Sequence, residues 1–168
     1  IRIVVDCTSI DILKYKNILE TKFLIGQNLK FDLQFLYSKG IVPTRVYDTM
    51  IVEQLLYLGY PAGAIRYGLS HIAKRYLNID IDKTIRGEIA QRGIDDEVIL
   101  YAANDVVYLE KIMWKQMDKA TYNGLKNGVK LECSFVPAIA YLEWCGIKLS
   151  TKKWKNKMKV DQQNLIKA

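Results

Sequence analysis

Phe23-Leu24-Ile25-Gly26-Gln27-Asn28-Leu29-Lys30-Phe31-Asp32 passes from a short apolar run, through a glycine and two amides, to an aspartate. Three apolar residues ending in Gly read as a buried strand, because Gly26 permits close backbone approach where the chain turns. From Leu29 the apolar residues change to helical spacing: Leu29, Leu33, Leu36 and Tyr37. The pattern stops at Gly40, a residue suited to the end of a helix. The stretch is a strand, a turn and a helix, and Asp32 falls just past the strand at the mouth of a sheet. Alone, such an aspartate reads as readily as a turn former or a helix cap.

Outward from this segment, helices alternate with strands. Ile1 to Val5 reads as a buried strand ending at Asp6, and Ser9 or Asp11 caps a short helix through Ile12, Leu13, Ile18 and Leu19. Val46-Tyr47 is a short strand, and a helix follows from Asp48 or Thr49 through Leu58, with Asp48 as its N-cap. Residues 59–63 form a loop, Leu69 to Leu77 a helix, and 78–92 an irregular or partly helical stretch. A long helix runs from about Asp95 to Met117, with Asp95, Asp96 and Glu97 in its first turn, where the dipole favours them. This alternation defines an α/β layered architecture. A boundary falls between Asn123-Gly124 and Asn127-Gly128. Beyond it, Leu131 to Trp144 is a helix closed by Gly146, and a last helix starts at Ser150 or Thr151. Its Trp154 and Met158 are expected to face inward, with Lys152, Lys153, Lys155, Lys157 and Lys159 over the remaining surface.

The chain has 168 residues, half of them hydrophobic and 26% charged, which suits one packed domain or one domain and the start of another. No apolar run approaches the ~20 residues of a membrane helix, no signal peptide is visible, and the first residue is Ile rather than Met. The expectation is a piece of a longer polypeptide. Cys7, Cys133 and Cys145 are odd in number, widely spaced and unlike a zinc pattern, which suits an intracellular, reducing compartment, and Cys133 and Cys145 read as packing residues. Up to Asp105 there are 13 Lys and Arg against 13 Asp and Glu; from Val106 onward there are 12 against 5. The whole net charge of +7 therefore resides in the last third, where phosphate-backbone binding is expected.

Tyr101-Ala102-Ala103-Asn104-Asp105 provides the second chemical signal. Tyr101 and Asp105 are four apart in a helical pattern and project from one face. A carboxylate beside a sheet, with a carboxylate and a phenol on a helix, can converge on one divalent metal centre suited to phosphodiester hydrolysis. Other polar residues read more plainly. His71 is an ordinary helix residue, and Asp80, Asp82, Asp95 and Asp96 are surface charges.

The segments around Asp32 and Asp105 resemble the second and third motifs of the DnaQ-like, ribonuclease H-like 3'-5' exonucleases, in their tyrosine-bearing branch. The resemblance implies two Mg2+ or Mn2+ ions held by four carboxylates. Asp32 and Asp105 would be two of these, and Tyr101 would orient the attacking water. Gln27 and Asn28 would line the groove for the 3'-terminal nucleotides. Lys83 and Arg86 fall where relatives often carry Lys, and either approach the nucleic acid or occupy a solvated loop. The other two carboxylates belong to an Asp-x-Glu that is not found. Asp6-Cys7-Thr8 looks like a damaged copy, yet only 26 positions separate Asp6 from Asp32. That is too few for the expected elements, so Ile1 to Asp6 matches the third strand and the first two are missing.

Leu131 to Leu149, with an early Pro137 and Glu143-Trp144-Cys145-Gly146-Ile147, resembles the passage from exonuclease domain to thumb in family A (DNA polymerase I-like) DNA polymerases. Ser150 stands where those enzymes usually have Asp. The resemblance covers essentially the whole chain. It implies an N-terminally truncated exonuclease domain over residues 1–123 and the start of a thumb over 128–168. It also implies a proofreading activity on the 3' end of single-stranded DNA, and a basic last helix along duplex phosphates. The remainder of a polymerase polypeptide would be a partner, with no membrane, in a bacterial or phage-infected cytoplasm or an organelle. Without Asp-x-Glu, the chain alone is expected to be inactive. Two other readings stay open: an inactive exonuclease-fold DNA-binding module, and a ribonuclease D-like RNA exonuclease.

Overall fold

A 3-10 turn at Ile12–Tyr15, capped by the Asp11 carboxylate on the Leu13 amide, leads into helix α1, Lys16–Thr21. Strand β1, Leu24–Gly26, and strand β2, Val46–Asp48, then pair in parallel, with Leu24 opposite Val46 and Gly26 opposite Asp48. Parallel strands need a crossover, and α2, Leu29–Ser38, supplies it. Helix α3, Thr49–Leu56, leaves β2 directly. Next come α4, Leu69–Leu77, a 3-10 turn at Thr84–Gly87 and the short α5, Ile89–Arg92. The helices α6, Asp96–Val107, α7, Leu109–Tyr122, α8, Lys126–Cys145, and α9, Thr151–Lys167, complete the chain. The computed structural model describes residues 2–81 and 84–167. Among them there are two strands, and no helix is long and apolar enough to cross a membrane.

Helix α2 illustrates how the sequence sets the packing. Leu29, Leu33 and Tyr37 are buried at four-residue spacing, so one stripe faces inward. They join Val46, Val136 and Ala140 in one apolar cluster. Each Leu or Val among them contributes about 1.5–3 kcal/mol by leaving water. A second cluster gathers Tyr47, Val52, Leu56, Met113, Ala120, Val129 and Cys133 around β2, α3, α7 and α8. A third joins Leu69, Ile72 and Ala73 of α4 to Leu109 and Ile112 of α7.

Several expectations require correction. Residues 2–6 are not a strand. Ile3 and Val4 are exposed, and an apolar run without a ladder partner gains nothing from extension. Asp6 instead holds a turn, accepting from the Thr8 amide at 2.8 Å and the Thr8 hydroxyl at 2.6 Å. The long helix expected over 95–117 is broken at Tyr108, whose φ of −97° and ψ of −11° end α6 before α7 begins. Asn127 and Gly128 lie inside α8 rather than in a loop; the chain turns at Asn123-Gly124, with Gly124 at φ +70°. Helix α8 buries Val129, Cys133, Val136 and Ala140 against the same clusters as α2 and α3. Trp154 and Met158 are 55% and 57% exposed, so α9 does not turn them inward. Its amphipathic spacing has no described surface to meet.

Candidate functional site

Asp32 lies in the first turn of α2, where the unpaired amides and the dipole favour a carboxylate. The helix begins there because Asn28 adopts the left-handed conformation, φ 58° and ψ 46°, and redirects the chain at the end of β1. Asn tolerates that region better than most residues. Asp48 fixes the turn. Its carboxylate accepts from the amide of Asn28 at 3.0 Å and of Leu29 at 2.8 Å. It also caps α3 through Met50 at 2.9 Å and Ile51 at 3.4 Å. Only 1% of Asp48 is exposed, and four backbone amides replace its hydration. The sequence shows the cap; the link to Asn28 and Leu29 is non-local and leaves no sequence pattern.

Tyr101 and Asp105 project from α6, which Asp95 caps through the Val98 amide at 2.8 Å. Helix α6 is held lightly: Val98 is its buried residue. The structure brings Asp32, Tyr101 and Asp105 to one open cleft of about 670 Å³, together with Gln27, Asn28 and Phe31. Residues 73 positions apart thus share a surface, as the two motifs anticipate. A neighbouring cavity of about 610 Å³ also includes Tyr101 and Asp105 and is bordered by Glu88 and Glu97. Lys83 lies outside the described residues. Arg86 is placed only by its backbone, in the 3-10 turn at Thr84–Gly87.

The carboxyl of Asp32 opens on the cleft but is crowded by protein. Loss of hydration is the largest influence and pushes its pKa above the ordinary aspartate value. The backbone amide at the helix start opposes this, and the nearby Asp48 charge adds to it. A carboxylate whose charge is disfavoured by burial is one that a bound cation would relieve. Asp32 and Asp105 are oxygen donors of the type Mg2+ and Mn2+ accept. Among the described residues, however, no three carboxylate, imidazole or thiol groups lie close enough to hold a metal ion. The donor set fits part of such a site.

Gln27 is tied down more firmly than its sequence position suggests. Its Nε2 donates to the Tyr67 carbonyl at 2.8 Å. The Thr49 hydroxyl shares its single proton between the Gly26 carbonyl, at 2.9 Å, and the Gln27 carboxamide oxygen. Behind Thr49 lies a buried network. Gln116 donates to the Thr49 carbonyl at 2.9 Å and to the Glu53 carboxylate at 2.7 Å, and Tyr47 donates to Gln116 at 3.3 Å. Arg75 pairs with Glu53.

A parallel strand–turn–helix with a carboxylate at its mouth, facing a Tyr-x-x-x-Asp helix across a cleft, defines the α/β ribonuclease H-like exonuclease fold. Residues 3–120 match the family described as 3'-5' exonuclease, of the DNA polymerase A type. The chain belongs to that family and is a DNA polymerase I-like 3'-5' exonuclease domain. It is 30% identical to DNA polymerase I of Aquifex aeolicus over 94% of this chain and 30% of that protein. It is 34% identical to ribonuclease D of Haemophilus influenzae over 63% of this chain and 26% of that protein. The chain thus spans less than a third of the curated relatives it matches. The structure of Brucella melitensis NrnC agrees in fold with a TM-score of 0.67, at 23% identity, over 77% of this chain and 64% of that one. That protein is also known bound to pGG and with bound Mg2+.

Proposed function

We propose that this chain is part of a proofreading nuclease that removes the 3'-terminal nucleotide of single-stranded DNA by metal-dependent hydrolysis. The observation that carries the reading is the shared cleft of Asp32, Tyr101 and Asp105. Asp32 and Asp105 would hold divalent ions, Mg2+ or Mn2+, and a bound pair of such ions stabilises the attacking and leaving oxygens. Tyr101 would orient the attacking water through its hydroxyl, and Gln27 and Asn28 would hold sugar and phosphate oxygens. Lys83 and Arg86 would approach the strand. The lysine-rich α9 would follow duplex phosphates. The match to a polymerase over 94% of the chain, past the exonuclease segment itself, supports DNA as substrate and a thumb after residue 128.

Two carboxylates are fewer than such a site needs, and a site short of ligands binds its ion weakly. The chain alone is therefore proposed to be inactive until a strand bearing Asp-x-Glu joins it. The test is a polypeptide extended N-terminally with that strand, assayed with Mg2+ on 5'-labelled single-stranded DNA. Asp105→Ala is expected to reduce 3'-5' degradation by orders of magnitude; an unchanged rate refutes the assignment. The similarity to ribonuclease D supports a second reading, an RNA exonuclease, in which the extended polypeptide would prefer an RNA strand.

A further inference from the structure

We propose that Asp48 and Thr49 form a positioning bracket for the nuclease cleft, setting the Gln27-Asn28 backbone and the orientation of the Gln27 carboxamide from one side. The inference rests on the nuclease reading above and adds two residues that touch no reacting atom.

The two side chains act on adjacent parts of one turn. The Asp48 carboxylate receives the Asn28 amide on Oδ1 and the Leu29 amide on Oδ2, while Oδ1 also receives the Met50 and Ile51 amides in the first turn of α3. The starts of α2 and α3 are therefore clamped on a single buried charge, and with them the left-handed Asn28 and the first turn that bears Asp32. Thr49 completes the bracket. Because the Tyr67 carbonyl can only accept, Gln27 must direct its nitrogen there and its oxygen toward the Thr49 hydroxyl. One N–H of Gln27 then remains for the cleft side. A donor in that place selects for an acceptor, such as a phosphate or sugar oxygen of a nucleic-acid strand. Gln116 holds Thr49 in turn through its backbone carbonyl, so the bracket is anchored to α7.

Substitution chemistry separates the two halves. In Asp48→Asn one carboxylate oxygen becomes an NH2 group, which cannot accept from an amide. Amide hydrogen exchange in the 168-residue chain should then quicken at Leu29 by roughly tenfold, with Leu33 and Val52 unchanged. Equal exchange at Leu29 in both proteins overturns the Asp48 half. Thr49→Val keeps the shape and removes the hydroxyl, and Thr49→Ser restores it. Binding of a fluorescein-labelled oligothymidylate, followed by anisotropy, should weaken in Thr49→Val about as much as in Gln27→Ala, several-fold for one lost hydrogen bond. Thr49→Ser should match the wild type, and the Thr49→Val/Gln27→Ala double variant should lose no more than either single change. Additive losses, or wild-type binding by folded Thr49→Val, overturn the Thr49 half. If the wild type binds no oligothymidylate, the bracket's role in strand binding falls, while the nuclease reading is judged separately by Asp105→Ala in the N-terminally extended polypeptide.

Discussion

Replacing Arg75 by Met isolates the energetics of the network behind the cleft. Glu53 is fully buried, and its carboxylate is met by the Arg75 guanidinium on one oxygen and the Gln116 amide on the other. Arg75 also donates to the Arg66 carbonyl at 3.2 Å and lies 5.0 Å from the Tyr57 ring centroid. Removing one partner of a buried ion pair costs about 3–5 kcal/mol, because the other charge stays buried. The Arg75 side chain is 25% exposed, so water can reach part of the vacated space. The lower end applies, about 3 kcal/mol. In a domain of this size that is a fall of roughly 6–12 °C in Tm. Urea denaturation followed by circular dichroism measures it. The Arg75→Met/Glu53→Met double variant removes the stranded charge and should recover at least about half of the loss. A single-variant cost below about 1 kcal/mol, or a double-variant cost equal to the sum of both singles, would refute the reasoning.

Gly26→Ala should cost about 1–3 kcal/mol in the same denaturation experiment, since a Cβ there would sit 2.5 Å from Leu29 Cγ, and the buried Leu29 side chain would have to shift. Tyr76→Phe should leave stability unchanged or raise it by up to about 1 kcal/mol, because the buried Tyr76 hydroxyl lies near the Glu53 carboxylate but meets no partner in hydrogen-bond geometry among the described residues; a clear loss of stability would instead show that it bonds Glu53. For Cys133, burial pushes the thiol up to about 11, so it should resist a thiol reagent at pH 8 while exposed Cys7 and Cys145 react. The sign follows: the folded thiol keeps its proton above the ordinary value of 9.0, so this contribution to stability is intact below pH 9 and declines toward about pH 11. Labelling of three thiols in the folded chain at pH 8 would count against it.

Elements that depend on local physics were legible from local patterns. Leu29, Leu33 and Tyr37 mark α2 and its inner stripe, and Leu69 to Leu77 is a helix with the expected bounds. Asp48 caps α3 as its position suggests. The convergence of Asp32 with Tyr101 and Asp105 was also legible, though only through the resemblance of two motifs; neither aspartate announces the other. What escaped depends on partners far along the chain. The Ile1 to Val5 run reads as a strand, but its described residues, 2–5, join no sheet. The bend at Tyr108 interrupts a pattern that is helical on both sides. The Asp48 contact with Asn28 and the Thr49 contact with Gln27 span about twenty residues and follow from strand register, which places Gly26 opposite Asp48.

Helix α8 crosses α2 in the antiparallel sense and is tied to it at Pro137 and at Glu143, where Gln34 also donates to the carboxylate at 3.1 Å. Tyr37 donates to the Pro137 carbonyl at 3.0 Å near the end of α2, and Lys30 pairs with Glu143 at 2.8 Å near its start. Ala140 between these points, and Val136 just before them, join Leu33 in one apolar cluster. The last turns of α8 and the helical turn that bears Asp32 are thus tied through one carboxylate, so a charge change at Glu143 reaches both Lys30 and Gln34 at once.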